Sequence, residues 1–147
     1  MHQINLFLRS LLFSLFFISL VFVFSFLCLL TLPFSLGVRH RLLRSFSYIY
    51  LAALKIICRI DYHVEGLENI PADRVGIVLS KHQSAWETFF LPTIFKDVAV
   101  IAKRELVWIP FFGWGIAASS PILIDRKNKV SAMQQIIQKD NETLKSM

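Results

Sequence analysis

The sequence predicts an α/β chain in which N-terminal membrane-associated helices lead into a mixed or parallel sheet flanked by helices. Three observations point there. No charged residue occurs in residues 10–38, a stretch made mostly of Leu, Phe, Val, Ile and Ser. From Ile60 onward, short apolar runs separated by turn signals alternate with helical patterns, as strands crossing to helices do. The charge is also divided: residues 1–59 hold six basic side chains and no acidic one, whereas residues 60–147 hold ten of each. The boundary therefore falls between a membrane-proximal part, 1–59, and an α/β part, 60–147.

The apolar run comes first. A secretory signal has an apolar core of roughly 7–15 residues and a small-residue cleavage site. This run is longer, and Thr31-Leu-Pro-Phe-Ser offers no such site. As one helix, residues 10–32 would measure roughly 35 Å, against a hydrocarbon core of about 30 Å. Pro33 and Gly37 should break it. A retained anchor is expected, spanning the bilayer or lying in one face of it. A second helix over residues 41–60 sets Arg41, Arg44, Tyr48, Ala52, Lys55 and Arg59 at three- and four-residue spacing, hence on one face. Such a stripe suits membrane phospholipid headgroups, and equally suits the solvated side of a buried helix.

The charge division excludes one class of partner. The net charge of +6 belongs to the membrane-proximal part, while a nucleic-acid binder would carry its basic excess on the folded domain. No nucleic acid is expected. Arg9 precedes the anchor, and Arg39, Arg41 and Arg44 follow it. By the bias of cations toward the cytoplasm, the body of the protein should lie on the cytoplasmic face of the inner membrane. Cys28 and Cys58 lack metal-ligand spacing and read as apolar filler, so no metal site is expected.

In the α/β part the expected strands are residues 60–64, 75–80, 98–102 and 121–124. Helices are expected over 84–95, over 105–118 with interruptions at Pro110 and Gly113, and over 129–145. The segment Leu79-Ser-Lys-His-Gln-Ser-Ala-Trp-Glu-Thr-Phe-Phe runs from a strand end into a helix. His82 is a candidate base, since imidazole titrates near neutral pH. A carboxylate on its other ring nitrogen would fix the tautomer and stabilise the imidazolium. Glu87 can take that role if His82 sits in the turn and Glu87 in the first helical turn, with Ser84 as N-cap. Ser84-Ala-Trp-Glu87 is also a capping box, which gives Glu87 a purely structural reading.

Three blocks together carry a resemblance: His82-Gln-Ser-Ala-Trp-Glu87; Lys103-Arg-Glu-Leu with Ile109-Pro-Phe-Phe-Gly-Trp-Gly; and Ile122-Leu-Ile-Asp-Arg. In this order and spacing they resemble the glycerolipid acyltransferases, specifically the lysophosphatidate (1-acyl-glycerol-3-phosphate) acyltransferases. The resemblance implies transfer of an acyl group from acyl-CoA or acyl-carrier protein, as co-substrate, to lysophosphatidate. It needs no cofactor. It also implies that His82 and Glu87 are catalytic and that Arg126, with Lys103, contacts the substrate phosphate. Glu87 stands where that family has Asp. The family continues into a further strand and a Phe-Pro-Glu-Gly-Thr-Arg block beyond Met147, so the sheet is expected to be incomplete. The alternative expectation is a catalytically inactive, membrane-anchored lipid-binding or interaction remnant of such an enzyme.

Overall fold

A computed structural model describes residues 2–71, 76–81, 83–95 and 98–124. Helix α1, His2–Leu30, begins well before the uncharged run and includes Arg9. An apolar helix tolerates serine when the hydroxyl bonds back one turn. Ser14 donates to the Ser10 carbonyl at 2.8 Å and Ser19 to that of Leu15 at 2.9 Å. Residues 3–30 form the one helix, among the described residues, long and apolar enough to cross a membrane. Pro33 ends it as expected. Gly37 breaks nothing; it is the second residue of α2, Leu36–Ala53. A wider helical turn, Leu54–Cys58, extends α2, and Arg59 closes it with a left-handed φ of 57°.

α2 runs back along α1, and the seam is aromatic. Phe13 meets Tyr50 at 5.7 Å between ring centroids, and Phe24 meets Phe46 at 5.2 Å. Helix α3, Trp86–Ile94, drops Phe89 into that seam, 5.8 Å from Phe17 and 4.4 Å from Tyr50. Leu20, Phe24, Phe46, Tyr50, Leu51, Leu54 and Phe89 thereby form the buried core. The cationic stripe lies away from it: Arg41, Tyr48, Ala52, Lys55 and Arg59 are exposed and Arg44 is half-buried.

The molecule is mostly helical, with a short sheet. β1, Ile101–Lys103, pairs in parallel with β2, Ile122–Ile124, in the register Ile101 to Ile122 and Lys103 to Ile124. A tight helical turn, Arg104–Trp108, and helix α4, Phe112–Ala118, connect them. The expected break at Pro110 is present, but Gly113 lies inside α4. Strand 121–124 is found one residue shorter, and 98–102 shifts to 101–103. Two expected strands are not. Residues 60–64 form none, and neither do 76–80, the described part of 75–80. Rather than buried, Ile77 and Leu79 are 80% and 93% exposed. A β-rich run becomes a strand only with a ladder partner, which local composition cannot supply. The expected helix 129–145 lies outside the described residues.

Candidate active site

The turn from Gln83 to Trp86 is organised by one carboxylate. Glu87 sits in the first turn of α3 and folds back over the residues before it. Its Oε1 accepts the Gln83 N–H at 2.9 Å, and its Oε2 accepts the Ser84 N–H at 3.1 Å and the Ser84 hydroxyl at 3.0 Å. The Trp86 N–H in turn donates to Ser84 Oγ at 3.1 Å. This is the reciprocal bonding of a capping box. Ser84 stands one residue further out than expected, because Ala85 is the last residue before the helix and already has helical angles.

The electrostatic consequence follows. The Gln83 N–H above all, then Glu87's own N–H and the Ser84 hydroxyl and N–H, stabilise the charged form and hold the Glu87 carboxyl down at about 2. Glu87 is therefore an anion throughout the neutral range. It is fixed to the N–H of Gln83; His82 and Arg126 lie outside the described residues. Lys103 is exposed at the C-terminal end of β1, beside Ile124 at the same end of β2. Carboxyl ends of parallel strands are where open α/β sheets place ligands.

Behind the turn lie two apolar features. Trp86 and Phe90, one helical turn apart, stack at 4.5 Å, and Tyr62 closes on both, 5.4 Å from Trp86 and 5.1 Å from Phe90. On the other side an open groove of about 390 Å³ runs between α1 and the two helix starts. Its walls include Ile18 and Phe22 of α1, Ala85 and Phe89 of the motif segment, and Phe111 and Phe112. No local pattern in the sequence marks this groove. The nearest signal is the aromatic run in the Ile109-Pro-Phe-Phe-Gly-Trp-Gly block: Phe111 and Phe112 are half-buried in the groove wall and Trp114 packs 4.9 Å from Phe111, while Trp108, just before the block, is 82% exposed.

The family described as Acyltransferase matches residues 61–146, a span that contains the whole His82–Glu87 segment, β1, α4 and β2. The chain belongs to the acyltransferase family. Among curated relatives, the 1-acyl-sn-glycerol-3-phosphate acyltransferase of Pseudomonas aeruginosa is 46% identical over 91 residues, 62% of this chain and 35% of that protein. The yeast (Saccharomyces cerevisiae) protein of that name is 33% identical over 84 residues, 56% of this chain and 27% of its own length. The mouse (Mus musculus) alpha form is 31% identical over 119 residues, 77% and 41% respectively. The chain thus spans well under half the length of these relatives. No solved structure matches it.

Proposed function

We propose that this chain carries the acyl-transfer segment of a lysophosphatidate acyltransferase, acting on the cytoplasmic face of a membrane that α1 enters. The observation that carries the reading is the Glu87 carboxylate, held ionised by the Gln83 and Ser84 N–H groups, beside an apolar groove reached from the membrane helix. In this reading His82 takes the proton of the lysophosphatidate hydroxyl as its oxygen attacks the thioester carbonyl of acyl-CoA or acyl-carrier protein. The imidazolium returns the proton to the departing thiolate. Glu87 orients the ring and supports its positive charge. Lys103 and Arg126 hold the phosphate. The acyl chain lies in the groove, whose size is that of an ordinary small-molecule site, and the exposed cations Arg41, Lys55 and Arg59 meet phospholipid headgroups.

The test compares acyl transfer to lysophosphatidate by wild type, His82→Ala and Glu87→Gln, in a protein that carries this segment complete. His82→Ala should lower turnover by about 10²–10⁴-fold, the worth of a general base. Glu87→Gln should lower it by roughly 10²-fold or more, because a neutral amide cannot support the imidazolium. Equal turnover in all three proteins would remove the reading.

A further inference from the structure

Two polar side chains are buried among the described residues, Ser25 and Ser47. Ser47 donates to the Leu43 carbonyl at 3.3 Å, within its own helix. Ser25 reaches further. It is 3% exposed on the apolar helix α1, and its single hydroxyl hydrogen is shared between two carbonyls. One is that of Val21, in α1, at 2.6 Å; the other is that of Phe111, 86 positions along the chain, at 2.7 Å. The bond within the helix would by itself satisfy a serine in an apolar environment. The second bond fastens α1 to the loop that enters α4.

That loop is strained. Phe111 has φ 63° and ψ −59°, and the Phe112 N–H turns back to the Pro110 carbonyl at 2.7 Å. This is a three-residue turn with positive φ at its centre, rare for any L-residue and costly for a bulky one. Such conformations persist only where the surroundings over-determine them. Here the Phe22 ring lies 4.1 Å from that of Phe111, and Trp114 lies 4.9 Å away. The Phe111 carbonyl accepts the Ser25 hydroxyl from α1 and the Trp114 N–H, at 3.1 Å, from α4, and Gly113 is pressed against the Val107 carbonyl with no room for a Cβ. The ring that this turn presents is a wall of the apolar groove, in the same lining as Ala85 of the His82–Glu87 segment.

We infer that Ser25 is a positioning residue for the acyl chain: its hydroxyl holds Phe111 in the strained turn, and the ring so placed sets which chain lengths the groove accepts. This rests on the acyl-transfer reading, so the test has two arms. In the first, the full chain in phospholipid nanodiscs is melted as wild type, Ser25→Ala, Phe111→Gly and the double variant. Glycine adopts positive φ without strain and needs no clamp. Ser25→Ala should lower Tm by roughly 4 °C when Phe111 is present, the loss of about one buried hydrogen bond in a small domain. It should lower Tm little in the Phe111→Gly background. Equal shifts in both backgrounds, or loss of folding in both, would overturn the clamp; loss of folding only where Phe111 is present would support it.

The second arm measures binding of thioether analogues of acyl-CoA from decanoyl to stearoyl. At the limit of a fitted pocket one methylene changes affinity by roughly tenfold or more. Ser25→Ala should blunt that step by about threefold or more, while Ser25→Thr, which keeps the hydroxyl, retains it. A Ser25→Ala profile identical to wild type sinks the positioning role. Failure of every analogue to bind wild type sinks the acyl-transfer reading instead, and the clamp is then judged by the melting cycle.

Discussion

Helices α3 and α4 both begin beside the same groove, and they begin in opposite ways. The start of α3 is satisfied from within four residues, with Glu87 accepting from Gln83 and Ser84. The start of α4 is a strained turn at Phe111, closed locally by the Phe112 N–H on the Pro110 carbonyl and held in addition from α1 by a serine 86 positions away. A locally closed turn keeps its geometry wherever the chain carries it. The Phe111 turn adds a long-range bond to its local ones, and that bond is only as good as the packing between the two elements, so it reports on how α1 sits against the rest.

The comparison can be broken most severely at Gly113. A Cβ there would run into the Val107 carbonyl, backbone that cannot step aside. Gly113→Ala should cost about 3 kcal/mol, the upper range for overpacking, measured by chemical denaturation in detergent. A cost near zero would show that the α4 start relaxes freely.

At the other helix start the expected effect is pH-dependent. Glu87 is depressed from 4.5 to about 2, so its contribution is complete above the ordinary value and is lost as pH falls through the folded one. The melting temperature of wild type should therefore decline across that window. In Glu87→Gln this component should be absent, with a lower plateau at neutral pH, because one amide oxygen replaces two carboxylate oxygens. Parallel curves for the two proteins would remove the capping role.

Two smaller effects sharpen the contrast between backbone and surface terms. Arg59 ends the α2 extension in the left-handed region, so Arg59→Gly should stabilise by about 0.5–1 kcal/mol. Lys55 and Asp61 sit 2.7 Å apart but are 65% and 61% exposed. Such pairs contribute little in water, and Lys55→Ala should leave Tm within experimental error.

Legibility in the sequence followed range. The apolar helix, the break at Pro33, the cationic stripe, the start of α3 and the strand at 122–124 were all readable, because each depends on neighbours within a turn or two. The capping role of Glu87 was readable, since the S-x-x-E spacing writes the cap directly. The strands expected at 60–64 and, in its described part 76–80, at 75–80 were not found, because apolar runs there resemble strands without fixing a ladder partner. Tyr62, read as a strand residue, packs its ring on Trp86 and Phe90. The Trp86–Phe90 pair, at i and i+4, was the available signal for that wall.

The sequence by itself determined that a long apolar helix precedes an acyltransferase segment, and that Glu87 stands at a helix start. Periodicity, turn chemistry and capping act over a few residues. Tertiary structure alone decided that α1 is a wall of the groove, that Phe89 fills the α1–α2 seam, and that Ser25 carries the carbonyl of Phe111. These depend on contacts between residues tens of positions apart, whose existence rests on how whole helices pack and leaves no periodic trace along the chain.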